Sequence, residues 1–293
     1  MATGKVNIPR FHEDRDFLRA AVNYTSAETA FLPRLIEKDY FCTVLLLCLT
    51  RIDGLVFKGG TSLAKVYADF YRLSEDLDFV LPMPEESGKK ERSKKVKPAK
   101  DVLNEIGKKV PAFRLAQPLT GANESRQYIA IVEYNSILSD GNESIKVEIG
   151  LREPLLERSV VKAARTILIN PTNGGALVPP ISVETIARRE AYAEKFRAAM
   201  TRRQVAIRDF FDIDYAVRHL ELDPEHPQFL GLVKRKLAVS GNDPINLDDD
   251  RLKALRAQVD AELRPVLRKE DIDRFDLNRA FAIVKDMANR IPG

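Results

Sequence analysis

Cysteine and histidine are scarce in this chain of 293 residues, with two of the first and three of the second. Cys42 and Cys48 lie in one apolar helical run at a spacing that puts them on different faces, so neither a disulfide between them nor a zinc site is indicated. His12, His219 and His226 show no ligand spacing, and no chemistry is assigned to them. Long apolar runs are missing too. The longest candidate, Phe41 to Leu49, is interrupted by Cys and Thr and falls well short of the ~20 residues that span a bilayer. Met1-Ala2-Thr3-Gly4-Lys5 holds no apolar stretch of the secretory kind, so a cytoplasmic protein without a membrane partner is expected. No internal repeat appears. What is present is an ordinary globular composition, 44% hydrophobic and 31% charged, on a chain long enough for two lobes with a core each.

Net charge is only +4, but it is unevenly spread. Between Gly88 and Lys100 stand Lys89, Lys90, Arg92, Lys94, Lys95, Lys97 and Lys100 against one acid, Glu91, an excess of +6 that exceeds the whole chain's. Such a run is either an electrostatic footprint for nucleic acid or a solvated loop that aids solubility. No aromatic residue is interleaved to stack a base, and the sequence leaves the two readings level.

The densest chemistry lies just upstream. Leu55-Val56-Phe57 is a short apolar run that reads as a buried strand, and Gly59-Gly60 then lets the backbone turn sharply and approach a ligand. From Thr61 the spacing of Leu63, Val66, Tyr67, Phe70 and Tyr71 predicts a helix, with Thr61 or Ser62 as its cap and a positive dipole end suited to an anion. Asp76 to Leu81 reads as the next strand, in which Asp76 and Asp78 share one face while Leu77 and Phe79 face a core. Two carboxylates about 5 Å apart repel by roughly 3 kcal/mol at an effective dielectric of about 20, so a cation between them is expected. Mg²⁺ fits: it takes one or two carboxylates and completes its shell with water and phosphate oxygens. A nucleotide site follows, with Lys58, Gly59, Gly60, Thr61 and Ser62 at the phosphates.

Lys58-Gly59-Gly60-Thr61-Ser62-Leu63-Ala64-Lys65, followed by Leu73-Ser74-Glu75-Asp76-Leu77-Asp78-Phe79, resembles the AbiEii/AbiGii toxin family of nucleotidyltransferase-like proteins, which includes the MenT toxins. The likeness continues in Glu37-Lys38-Asp39-Tyr40, in Glu190, Glu194 and Lys195, and in Arg203 with Arg208-Asp209-Phe210-Phe211-Asp212. It runs as islands from about residue 37 to 213. The resemblance implies a metal-dependent nucleotidyltransferase that moves NMP from an NTP to RNA, with the tRNA 3′ end as the leading acceptor and blocked translation as the outcome. It also implies a cognate antitoxin protein. By the same likeness Lys195 and one of Asp209 and Asp212 are functional, Arg208 and Ser74 support the nucleotide, and a third metal acid comes from a neighbouring strand. Glu148 is the candidate for that acid and Glu133 its competitor. A phosphate on Ser74 brings about −2 of charge beside Asp76 and is expected to silence the enzyme. Two other readings stay open: transfer to a protein hydroxyl, and a nucleotide- or RNA-binding module without turnover.

The expected architecture is α/β (α+β), a nucleotidyltransferase-fold lobe over residues 1–180 with a helical lobe over 181–293. Residues 11–50 read as two helices, the second buried behind a small mixed sheet of four or five strands that includes Tyr128 to Val132 and Ile145 to Ile149. A basic linker and one helix near 98–109 fill the interval. Turn formers at 171–182 mark the lobe boundary. Helices are expected at 184–200, 206–220, 226–239, 249–264 and 270–289.

Overall fold

The computed structural model describes residues 8–291. Met1 to Lys5, the stretch that bears on a secretory signal, lies outside them. The protein is mixed α/β and divides into two compact units: one runs to Leu155 and resumes over Ser159–Ile186, the other takes Leu156–Arg158 and the chain from Ala187 onward.

In the first unit, helix α1 (Arg15–Thr29) starts where the Asp14 carboxylate accepts the Phe17 N–H, and it ends where Ala30 turns left-handed. Helix α2 (Pro33–Leu49) opens on a proline, whose missing N–H costs nothing there. Every residue from Leu35 to Leu49 except Leu47 is buried. Phe41 stacks on Tyr134 with ring centroids 3.9 Å apart, which puts α2 behind the sheet, as its apolar run predicts.

Strand β1 (Val56–Lys58) leads into the short helix α3 (Gly59–Ser62), a wider turn over Leu63–Tyr67, and strand β2 (Leu77–Val80). Helices α4 (Lys89–Lys95), α5 (Lys97–Asn104) and α6 (Ile106–Lys109) follow, then β3 (Phe113–Ala122), β4 (Gln127–Asn135), β5 (Asn142–Gly150), β6 (Val160–Ala164) and β7 (Ile181–Thr185). Among the described residues the sheet has seven strands, in the order β3-β4-β5-β2-β1-β7-β6. Four or five were expected. Strand β3 escapes sequence reading because Pro118 and two register shifts break its alternation. Strand β7 pairs with both β1 and β6, so Ile181–Thr185, expected in the helical lobe, belongs to the sheet. Its buried Ile181, Val183 and Thr185 alternate with exposed Ser182 and Glu184, a pattern overshadowed by the prolines before it. The basic linker is also helical: Arg92 and Val96 are buried, and Glu91 accepts the Gly88 N–H at the start of α4.

Register fixes what each face carries. Phe57 lies opposite Phe79, Phe79 opposite Ile149, and Ile149 opposite Tyr128, so these four share the covered face. Lys58, Asp78, Glu148 and Ile129 occupy the other face by the same ladders. Burying side chains such as Phe57 and Phe79 contributes about 1.5–3 kcal/mol each, which anchors the register and with it the direction of Asp78.

The second unit is helical: α7 (Arg188–Thr201), α8 (Ile207–His219), α9 (Pro227–Ala238), α10 (Asp249–Gln258), α11 (Lys269–Arg274) and α12 (Leu277–Asn289). The single helix expected over 270–289 is broken at extended Phe275, and Asp276 caps α12 by accepting the N–H groups of Asn278 and Arg279. Among the described residues no helix is long and apolar enough to cross a membrane.

Candidate active site

The diglycine turn and the acids meet. Gly59 has φ +75°, and a β-carbon built on it would lie 2.8 Å from the Asp78 Cβ, so only glycine fits this approach. The Thr61 hydroxyl donates to the Asp76 carbonyl and ties the turn to the other acid. Asp78 stands opposite Lys58 on β1 and opposite Glu148 on β5. Between the acids reaches Lys146, whose Nζ is 3.7 Å from Asp76 Oδ2 and 3.5 Å from Glu148 Oε2.

Negative charge is in excess here. Burial first, then the neighbouring Glu148 and Asp76, push the Asp78 carboxyl up to about 6, although Lys146 and Lys58 pull the other way. Burial lowers the proton affinity of Lys146, but Asp76, Glu148 and Asp78 outweigh it and raise the ammonium above its usual range. Lys146 is therefore the protein's own counter-ion to the acids, a role the sequence hinted at only through its alternation with Glu148. Glu148 Oε1 also accepts from Gln127 Nε2 at 2.7 Å. Glu133 lies elsewhere on the ladder, opposite Ser144 and paired with Arg114.

Thr61 and Ser62 do not cap a helix. The helix begins at Gly59 with Lys58 at its cap and no capping side chain, and both hydroxyls are buried: Thr61 turns to Asp76, and the Ser62 hydroxyl lies 2.8 Å from that of Thr185. The expectation fails because the backbone turns helical two residues early, at the glycines themselves. Behind the turn lies Arg72, which sequence reading missed. A β-carbon on Gly60 would come 2.5 Å from Arg72 Nη2 and 3.1 Å from the Ser74 hydroxyl, so Gly60 is held against both.

The remaining motif residues of this unit hold the frame. Buried Glu37 accepts from the Ser136 hydroxyl at 2.9 Å and from the Ile137 N–H at 2.5 Å. Lys38 pairs with Glu75 at 3.1 Å. Asp39 takes the fully buried Lys65 ammonium at 2.5 Å, and its other oxygen accepts from Thr166 and the Ile167 N–H. Tyr40 bonds His12 at 2.8 Å. Four successive residues of α2 thus tie together five separate segments of the unit.

A second charged group lies within the helical unit. Lys195 Nζ is 2.8 Å from both Asp209 Oδ1 and Asp212 Oδ2, and Arg202 Nη1 is 3.1 Å from Asp209 Oδ2. Both aspartates bind the same ammonium, so this geometry does not single out one of them. Glu190 and Glu194 instead share Lys236, at 2.7 and 3.1 Å. Arg208 donates from Nε to the Glu262 carbonyl at 3.2 Å.

Residues 47–281 match the model of the nucleotidyl transferase AbiEii toxin family of type IV toxin–antitoxin systems. The chain belongs to the AbiEii family. It is a nucleotidyltransferase toxin, and the family implies a nucleotide substrate and an antitoxin partner. Among solved structures, MenT4, a nucleotidyltransferase toxin from Mycobacterium tuberculosis H37Rv, is similar at 20% identity and a TM-score of 0.54, covering 94% of this chain and 99% of its own. At that identity the likeness speaks for the fold. JHP933 from Helicobacter pylori is 18% identical over 93% of this chain and 91% of its own, with a TM-score of 0.46. No curated protein matches the chain.

Proposed function

We propose that this AbiEii toxin transfers NMP from an NTP to the terminal hydroxyl of an RNA, with the tRNA 3′ end as acceptor, and thereby blocks translation. The observation that carries the reading is the close approach of Gly59 to Asp78, with Thr61 tied to the backbone of Asp76, which brings a glycine turn against two hard oxygen donors. Nucleotide phosphates would lie over Gly59 and Gly60, with Lys58 and Ser74 at the margins.

The donor set fits Mg²⁺. It offers carboxylates and no sulfur or imidazole, and among the described residues no three His, Cys, Asp or Glu side chains are arranged to hold a metal by themselves. Asp76 and Asp78 would hold the ion, with phosphate oxygens and water completing its shell. Glu148, engaged by Gln127 and Lys146, would act on Asp78 through its charge. When bound, the ion supplies charge stabilisation as pyrophosphate leaves. The chain's own contribution is positioning: β1 and β2 fix the acids against the turn, Lys146 and Lys58 hold part of the excess charge, and the α2 contacts keep the turn in place. Lys195, whose ammonium is taken up by Asp209 and Asp212, is read as part of the helical unit's own frame and is given no place at the phosphates.

The test is transfer from each of four labelled NTPs to total tRNA, and separately to total protein, with Mg²⁺. Wild type should label RNA and Asp76→Ala should not. Full labelling by Asp76→Ala would discard the assignment, and label in protein alone would replace RNA with a protein acceptor.

A further inference from the structure

The lysine run at 89–97 is ordered and unneutralised. Lys89, Lys90, Lys94, Lys95 and Lys97 are all exposed, and among the described residues none has a carboxylate within ion-pair distance. The one acid in α4, Glu91, is spent on its own helix start. The patch continues past the run. Lys95 Nζ lies 3.7 Å from where a β-carbon on Gly54 would stand, and exposed Arg51 is three residues from Gly54 along the chain. Elsewhere in the same unit cations such as Arg34, Lys38, Lys65 and Arg114 are paired.

The place of this patch in the fold is as informative as its charge. Lys100, on α5, lies 5.0 Å from the Tyr128 ring, and Tyr128 belongs to the face of Ile149, Phe79 and Phe57. The basic helices therefore cover the side of the sheet opposite Asp78 and Glu148. With strands about 4.8 Å apart and layers about 10 Å apart, a ligand touching both must span roughly 20 Å, about six phosphate spacings along a duplex strand.

We infer that the exposed lysines of α4 and the start of α5 form a docking surface for the phosphate backbone of base-paired RNA, separate from the transfer site. The inference rests on the reading of the chain as an RNA-directed transferase and adds how the acceptor is selected: by a double-helical body beyond its reactive end. A single strand is disfavoured because no aromatic residue lies among the lysines to stack a base. A protein partner is disfavoured because lysine is depleted from protein interfaces and Ser93 and Pro98 supply no apolar centre. Lysines on a rigid support read phosphate charge without sequence.

The experiment compares wild type with the fourfold variant Lys89→Glu, Lys90→Glu, Lys94→Glu, Lys95→Glu, and with the milder glutamine set at the same positions. Binding to a base-paired RNA of about 16 base pairs is measured across a salt series. The variants should bind at least tenfold more weakly, and the log–log salt slope should become shallower by about 1 for each lysine–phosphate pairing removed. In transfer assays KM for a structured RNA should rise with kcat unchanged, while transfer to a short single-stranded acceptor stays as in wild type. Equal binding by variants and wild type, or a wild type that takes polyglutamate and leaves duplex RNA free, would overturn the docking surface. If wild type labels no RNA at all, the transfer reading fails and the binding arm still decides the surface. Unchanged thermal midpoints confirm that the variants fold.

Discussion

Two charged clusters carry the motifs of this chain, and they are built on opposite principles. In the sheet unit Asp76, Asp78 and Glu148 share Lys146 and Lys58, so negative charge is left over, and one carboxyl is held up to about 6 by its neighbours and its burial. In the helical unit Asp209 and Asp212 are matched by at least two cations, Lys195 between them and Arg202 on Asp209. Asp212 and Asp209 are 0% and 6% exposed, against 43% for Asp76. An unbalanced group costs stability and persists where it binds something. A balanced buried one holds a structure together. Motif membership alone does not separate the two.

The largest expected effect on this contrast is at Gly59. Gly59→Ala puts a β-carbon against Asp78 in a left-handed backbone, which costs about 1–2 kcal/mol of strain and displaces the acid. Transfer should fall by about 10²-fold or more for a displacement near 1 Å, with the protein still folded. Retained activity would mean that the turn does not set the position of Asp78.

Next comes the balanced cluster. Lys195→Met removes the cation shared by two buried carboxylates, and Lys65→Met removes the one paired with Asp39. Each should lower unfolding stability by about 3–5 kcal/mol in urea titrations. A Lys195→Met protein of unchanged stability but abolished transfer would move this group from frame to chemistry and blur the comparison.

Acidity sharpens it further. Between the ordinary aspartate value of 3.8 and about 6, the folded protein keeps a proton on Asp78 that the unfolded chain releases. This group's contribution to the stability of metal-free protein therefore declines as pH rises through that window. Metal binding needs the carboxylate, so at limiting Mg²⁺ transfer should fall as pH drops through about 6. Glu148→Gln removes one of the charges that raise Asp78 and should shift the midpoint lower, as a carboxyl-resolved NMR titration would show. The smallest effect is at Arg202, whose side chain is 54% exposed: Arg202→Ala should cost no more than about 1 kcal/mol.

Much of the first site was legible because it is local. Lys58 to Asp78 is one strand-turn-strand passage, and alternation alone sends Phe57 and Phe79 inward and Lys58 and Asp78 outward. What stayed hidden depends on distant pairings. Lys146 and Gln127 reach the acids only through the β2–β5 and β4–β5 ladders, and Arg72 meets Gly60 after a turn that passes through left-handed Asp69 and Phe70. Glu37, Lys38 and Asp39 were visible as a motif, but their partners Ile137, Glu75 and Lys65 lie far along the chain. The lysine run carries its helix in two buried residues, Arg92 and Val96, too few to register as a stripe.

The central claim, that the excess-charge cluster is where transfer occurs, is tested most directly by Asp78→Asn, assayed side by side for labelled-NTP transfer and for thermal unfolding at pH 7. No detectable transfer is expected, together with an unchanged or higher midpoint, because a charge crowded by Glu148 and Asp76 is removed. Transfer at the wild-type rate, or a midpoint lowered as in a broken structural ion pair, would contradict it.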